Sequence, residues 1–472
     1  MTKEKYLFKN TFIITIGKIC TQLITFFLLP LYTAVLSTEE YGIVDLVTTL
    51  SMLLLPLITF QVEQAIFREL LENRTNKKKN DLIISNGIIS VTIQCCIFII
   101  VYLLLSKIFK NEYEYLLLIN IICYIYISLF QQIARGKGNN ITYSIGSFIN
   151  ACATILFNLI FLLKFQMGAK GMILGNIFGQ IAAIIYLFSS EKILKHLHFS
   201  LFNIKYVKKL WKYSFPLIPN ELSWWVFNVS DRVIVSLILG LSANGILSAA
   251  SKFSNVYITL FNIFNISWTE SISLFIKEKD IENFFNRVFG IALSLFSAIG
   301  LGIIACLPFV FNIIINIKYN TSYKLIPILI IASLFNVVVG LLSAVYIGNK
   351  NTKAVAKTSV ISALINLTVH LILIKFLGLY AAAISTLVSF VIMSIYRLND
   401  INKKYIKINF NYKKIIYSLI VTLIIVITYY LNNLYMHIFG LILAFVYAIF
   451  MNKNIVNILM IKLKKRKEVY YD

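Results

Sequence analysis

The stretch whose reading decides the fold is YSFPLIPNELSWWVFNVSDRVIVSLILGLSANGILSAASKFSNVYITLFNIFNISWTESI, residues 213–272. Its length and apolar content are those of two membrane-spanning helices joined by a tight turn over Gly240–Gly245. Near the middle, the adjacent charges Asp231 and Arg232 are flanked by apolar residues, and Lys252 follows in the second helix. A charge inside a bilayer costs at least ~2.5–3.5 kcal/mol on insertion scales, so such residues face a bundle interior or a watery cavity. These three residues are where a functional reading starts.

The rest of the chain has the same character. Of 472 residues, 59% are hydrophobic, and mean hydropathy is +0.81. A soluble domain is roughly 45–50% apolar. A span needs about 20 apolar residues. Fourteen such runs lie between polar breaks, near 10–35, 41–66, 82–105, 114–134, 142–164, 168–189, 213–240, 244–270, 286–313, 321–347, 355–375, 379–397, 414–431 and 434–451. They are continuously apolar, whereas the strands of a membrane barrel alternate. The expected fold is an all-α integral membrane protein of about 14 transmembrane helices.

Basic residues set the expected orientation, because they crowd cytoplasmic connections. With the N-terminus inside, 34 of the 44 Lys and Arg fall in inner segments and seven in outer ones. The remaining three, Lys18, Arg232 and Lys252, lie inside spans. Both termini are therefore expected in the cytoplasm of a bacterial plasma (inner) membrane. The net charge of +24 reads as this asymmetry and not as a nucleic-acid surface. The run after MTKEKYLFKN is too long for a signal-peptide core and reads as a retained first span.

The chain also repeats itself. GNNITYSIGSFINACATILFNLIFLLKFQMGAKGMILGNI (138–177) resembles GNKNTKAVAKTSVISALINLTVHLILIKFLGLYAAAISTL (348–387), about 210 residues later. A similar offset carries PLYTAVLSTEEYGIVDL (30–46) onto VIVSLILGLSANGILSA (233–249). Both halves start inside, so the repeat is parallel, about an axis along the membrane normal. The expected organisation is an N-lobe over 1–189, a basic amphipathic linker over 190–212 lying on the inner membrane surface, and a C-lobe over 213–397. Residues 398–472 then hold the last two spans and a basic cytoplasmic tail.

Several chemistries are set aside. No GxxxxGK[ST] phosphate loop marks an ATP-driven motor. No HExxH or Cys/His cluster offers a zinc site, the four histidines are scattered, and the six cysteines read as small apolar residues. Neither metal nor cofactor is expected. Outer connections are too short for the catalytic loops of a glycosyltransferase or polymerase, so the chain is expected to be a transporter and not an enzyme.

A transporter needs a cavity with chemistry in it. The cations Lys18, Arg68, Arg232 and Lys252 are its candidate substrate-binding groups, and Asp45, Glu63, Asp231 and Glu270 its coupling or structural carboxylates. Lys is a point charge and Arg a bidentate fork for phosphate, and a buried carboxyl can carry a coupling proton or bind Na+. Each also has a plainer reading. Arg68, Arg135 and Arg287 lie near the inner interface, where long side chains snorkel, and Asp231–Arg232 can neutralise itself. Trp224, Trp225, Phe227 and Trp268 suit sugar stacking but equally an interfacial belt.

The same residues resemble the polysaccharide biosynthesis (oligosaccharide flippase) family of the multidrug/oligosaccharidyl-lipid/polysaccharide exporter superfamily. The similarity is carried by Phe215–Pro219, Asn228 with Asp231–Arg232, Gly245, Ala249–Lys252 and Trp268. Toward the start it is carried by Gly17-Lys18, Pro30, Glu40-Tyr41-Gly42 and Ala65–Arg68. Gly245-Ile246-Leu247 stands where the family often has Gly-x-Tyr. The resemblance implies two six-helix lobes related by a pseudo-twofold axis around a central cavity that opens alternately to each side. It implies as substrate a polyprenyl-diphosphate-linked oligosaccharide, moved from inner to outer leaflet for capsule, O-antigen or exopolysaccharide. The expected partners are that lipid-linked substrate, protons or Na+ as coupling ions, membrane lipids, and a polymerase and glycosyltransferases of the pathway. A cation-coupled multidrug exporter and a lipid II flippase are the alternatives within the superfamily.

Overall fold

The structure is a computed structural model that describes residues 26–106, 112–409, 411–431 and 433–453, without the side chains of Asn220, Ser223, Trp224, Phe227 and Asn228. Seventeen α-helices and no strand occur among the described residues. Eleven are long and apolar enough to cross a membrane. The first run, 10–35, lies mostly outside the described residues, as does Lys18. Residue contacts divide the chain into two compact units, Met1–Ser248 and Ala249–Asp472.

The first unit begins with α1 (Leu29–Val35), α2 (Thr38–Thr59) and α3 (Val62–Glu72). Ser37 starts α2 through a capping box: its Oγ accepts from the Glu40 backbone N–H at 3.2 Å, and Glu40 Oε2 accepts from the Ser37 N–H at 2.8 Å. Two orphan donors of the first turn are satisfied at once. The run 41–66 does not continue as one helix. Phe60 and Gln61 both take left-handed conformations, with φ of 51° and 59°. Such geometry is uncommon without glycine, and here Thr59 Oγ1 accepts from the Gln61 N–H at 3.2 Å.

The unit continues with α4 (Lys77–Ser106), α5 (Glu114–Lys137), α6 (Asn140–Leu159, prolonged by a π-turn to Lys164) and α7 (Gly168–Ser190). Ile66, Ile83, Ile125, Ile133 and Leu187, all fully buried or nearly so, form the apolar core between them. The linker is ordered as α8 (Ile193–His196), a 3-10 turn and α9 (Ile204–Ser214). It is held to α4 by Ser85 Oγ donating to His196 O at 2.8 Å and Asn86 Nδ2 donating to Leu201 O at 3.0 Å. His196, which its basic surroundings suggest is solvated, instead meets Asp81 at 2.5 Å. α9 is amphipathic, with Val207 and Leu210 buried and Lys205, Lys208, Lys209 and Lys212 exposed. Burial and the Glu69 carboxylate beside it push the Tyr206 hydroxyl upward.

α10 (Ile218–Ile238) and the start of α11 (Leu241–Phe275) complete this unit. The turn between them is Leu239–Gly240, with Gly240 at φ 91°. Gly245 was expected in that turn and instead lies inside α11, where its missing side chain serves a helix contact.

The second unit holds the rest of α11 with α12 (Ile281–Ile314), α13 (Thr321–Gly348), α14 (Thr352–Leu377), α15 (Tyr380–Lys404), α16 (Tyr412–Tyr430) and α17 (Leu434–Met451). Trp268 Nε1 donates to Leu341 O at 3.0 Å, and Tyr257 OH to Phe296 O at 3.0 Å. α17 docks on α12 through Tyr447 and Ser297 hydroxyls 2.9 Å apart. One local detail of the repeat is preserved in the backbone: Gly168 and Gly378, 210 residues apart, have φ of 55° and 54°.

Candidate functional site

The first unit contains a polar centre where α2 meets α10 and the start of α11. Arg232 Nη1 on α10 donates to Asp45 Oδ1 on α2. The side chains are 19% and 8% exposed, so this is a largely desolvated ion pair. Ser248 Oγ donates to the same carboxylate oxygen at 2.7 Å, and Asn244 Nδ2 donates to Asp45 Oδ2 at 3.4 Å and to Gly42 O at 3.0 Å. Two charges withdrawn from water need good geometry and further hydrogen bonds to compensate desolvation, and α11 supplies those bonds.

What brings the helices this close is a pair of glycines. A Cβ built at Gly42 would lie 1.9 Å from Leu241 O and 2.9 Å from Gly245 N. One built at Gly245 would lie 1.9 Å from Thr38 O and 2.9 Å from Gly42 N. The contact is reciprocal, and its members are repeat mates: 38 and 241, 42 and 245, 45 and 248 each differ by 203. Thr38 and Ser242 hydroxyls close the edge at 2.6 Å. Three to four residues further into α2, Trp225 Nε1 donates to Thr49 O at 3.1 Å.

The other predicted residues are placed differently. Asp231, half-buried beside Arg232, is not the carboxylate that Arg232 Nη1 engages. Glu63 is 1% exposed near the start of α3, and neither of its carboxyl oxygens has a hydrogen-bond partner among the described residues. Arg68 is half exposed and pairs with Glu72 one turn along α3 at 2.8 Å. In the second unit, Lys252 is half-buried on α11 and Glu270 is exposed. Among the described residues no group of His, Cys, Asp and Glu is arranged to hold a metal ion.

Ser248 and Asn244 were not singled out in the sequence, and Gly42 and Gly245 were named only for the family resemblance and, for Gly245, a turn. Their signal was present in the alignment of 30–46 with 233–249, which sets Gly42 against Gly245 and Asp45 against Ser248. What that alignment does not contain is that the aligned segments touch.

The profile of the family described as "Polysaccharide biosynthesis protein" matches residues 7–269. The chain belongs to that family. The matched span includes Asp45, Arg232 and Lys252 and stops one residue before Glu270. Among curated proteins no sequence match was found. Among solved structures, this family member is similar to the lipid II flippase MurJ in an inward closed conformation, at 18% identity and a TM-score of 0.71. That match covers 95% of this chain and 99% of MurJ. It is also similar to an inward-facing multidrug resistance MATE family transporter of the MOP superfamily, at 12% identity and TM-score 0.67, over 81% of this chain and 95% of that one. A MATE structure in complex with MaL6 matches at 14% identity and TM-score 0.59, over 84% and 97%. At these identities the likeness is one of fold: a multi-pass membrane protein of the MurJ and MATE kind.

Proposed function

We propose that this protein moves polyprenyl-diphosphate-linked oligosaccharide repeat units from the inner to the outer leaflet by alternating access, in the service of surface polysaccharide synthesis. The observation that carries this reading is Arg232: a largely desolvated guanidinium on α10, inside the family-matched segment, held by one carboxylate. The Asp45 pair orients Arg232 and satisfies it while no substrate is present. A guanidinium has five donors in a planar fork, and a diphosphate matches that fork. Substrate phosphate and Asp45 then compete for the same cation, so binding loosens the tie between α2 and α10.

That tie sits where α2 begins and α10 ends, at the side with few basic residues and hence the expected outer side. The Gly42–Gly245 contact closes α2 against the start of α11 there, and these two must part for a cavity to open outward. Glu63, buried and with no hydrogen-bond or ion-pair partner for its carboxyl oxygens among the described residues, is our candidate for the coupling proton. Lys18 and Lys252 remain candidate phosphate contacts, and Arg68 a cation at the α3 surface.

The test is to replace Arg232 with Gln in the chromosomal copy and follow lipid-linked repeat units by leaflet-specific labelling. Accumulation on the inner leaflet with loss of surface polymer is expected, at normal protein level. Normal surface polymer would sink the reading. The likeness to a lipid II flippase over 95% of the chain supports a second reading, in which the cargo is a peptidoglycan precursor. Depletion then stops cell-wall synthesis and leaves surface polymer intact.

A further inference from the structure

We propose that α11 carries a track for the sugar part of the cargo, on the face that its own unit leaves uncovered; this rests on the lipid-linked cargo proposed above. At 35 residues α11 is about 52 Å long, more than the ~30 Å hydrocarbon thickness of a bilayer. Yet it is not among the eleven helices apolar enough to cross a membrane. The reason lies in one stripe. Asn255, Thr259, Asn262, Ile266, Thr269 and Ser273 recur at alternating steps of four and three residues, which keeps them on one face of the helix. Each is exposed or half-buried, and Ile266 alone is apolar. From Asn255 to Ser273 the stripe runs about 27 Å, nearly the depth of the hydrocarbon layer.

The opposite face is the packed one. Phe253, Tyr257, Phe261, Trp268 and Ile272 are buried. Tyr257 and Trp268 are bonded to backbone carbonyls of α12 and α13, which fixes the rotation of α11 and turns the stripe away from its unit. Other exposed faces in this unit are of a different kind. Leu364, Leu371 and Ile372 on α14 and Leu419 and Leu423 on α16 present plain hydrocarbon, as lipid requires. An amide set against lipid tails would give up its hydrogen bonds to water without replacement. The stripe of α11 therefore borders water or a polar ligand.

Its chemistry selects the ligand. Between Lys252 and Glu270 α11 carries no charged residue, so this stretch offers no ionic hold on a phosphate. The side-chain amides of Asn255 and Asn262 have no hydrogen-bond partner among the described residues. Each amide offers two donors and an acceptor oxygen. Thr259 Oγ1 donates to Asn255 O and Ser273 Oγ to Thr269 O, both at 2.7 Å, which leaves the hydroxyl lone pairs as acceptors. Neutral donors and acceptors in a row match the hydroxyl and acetamido groups of a sugar chain. Seven residues separate the two amides, about 10 Å along the helix, so a disaccharide can reach both. The cargo is thereby divided by chemistry, its diphosphate to the guanidinium of Arg232 and its sugars to the amides of α11.

The test uses the full chain in detergent and native mass spectrometry with two probes, a polyprenyl diphosphate and the same lipid bearing an N-acetylhexosamine disaccharide. The unaltered protein should retain the sugar-bearing probe about twentyfold better than the bare one, a factor of about five for each amide. Asn255→Leu combined with Asn262→Leu should abolish that preference and leave retention of the bare probe unchanged. Asn262→Gln keeps an amide and should keep most of the preference. Should the double variant fail to fold, Asn262→Leu alone must lower the preference about fivefold. Equal retention of the two probes by the unaltered protein, a preference that survives the Leu substitutions, or an equal loss of both probes in those variants would each overturn the proposal. The lipid-linked cargo is judged separately by Arg232→Gln, which should weaken both probes. Bare-probe retention that depends on Arg232 upholds that cargo even where the sugar track fails, and retention of neither probe by the unaltered protein overturns both.

Discussion

Two arginines withdrawn wholly or largely from water are satisfied in opposite ways. Arg397, near the end of α15, is 1% exposed. Its Nε and Nη2 donate to Thr358 Oγ1 at 3.0 and 2.6 Å, its Nη1 to Val339 O at 3.2 Å and to Ser343 Oγ, and its Nη2 also to Val355 O at 3.3 Å. Those acceptors are neutral hydroxyls and carbonyls of α13 and α14, and they saturate the fork. Arg232 engages a carboxylate through one nitrogen and keeps partial access to water. A fork saturated by neutral groups has nothing left to offer a ligand and fastens three helices together. A fork held by one charge can exchange that charge for a phosphate. The difference separates a structural cation from a binding one.

The comparison can be broken by substitution. Arg397→Ala removes every hydrogen bond that ties α15 to these acceptors of α13 and α14 and leaves a cavity, so we expect a loss of about 3–5 kcal/mol, read as a lower thermal midpoint in detergent and poor membrane yield. Arg397→Lys should not recover it, because a point charge cannot fill a planar set of acceptors. An Arg397→Ala protein of normal stability would end its structural assignment.

Arg232→Ala uncovers Asp45 in a desolvated site and should cost about 3 kcal/mol. Asp45→Asn added to Arg232→Ala should return most of that stability without returning surface polymer. Recovery of both together would show that the pair only holds helices, as Arg397 does.

Gly245→Ala places a methyl against Thr38 O and should cost about 1–3 kcal/mol through helix separation. Its readout is oxidative cross-linking of a Thr38→Cys, Ser242→Cys pair. That pair should link readily and block transport in the otherwise unaltered protein, and link more slowly with Gly245→Ala. Smallest of the four, Ser248→Ala removes one donor to a charged acceptor and should cost about 1–2 kcal/mol. Equal stability of the Ser248→Ala and unaltered proteins would mean that Arg232 alone holds Asp45.

The sequence hid the contrast in part because of where the residues stand. Arg397 ends an apolar run, a place where arginine ordinarily marks the inner interface, and only the hydroxyls of neighbouring helices reveal it as buried. Asp231 is the nearest acid to Arg232 along the chain, but residues adjacent on a helix point about 100° apart. The acid on another helix therefore makes the bond. Glu63 reads as one charge within a span, and the backbone break at Phe60–Gln61 that starts its helix has no glycine or proline to announce it.

By itself the sequence determined the helical class, the membrane setting and the segment carrying the chemistry. Continuous apolar runs of span length admit only helices in a bilayer, and a charge within such a run is too costly to be idle. The repeat, too, was legible as composition and spacing. Only the tertiary structure decided that Gly42 and Gly245 meet, that Asp45 is the partner of Arg232, and that the linker is bonded to α4. Those facts depend on which helix faces which, and side-chain contacts 187 or 203 residues apart leave no trace in local pattern.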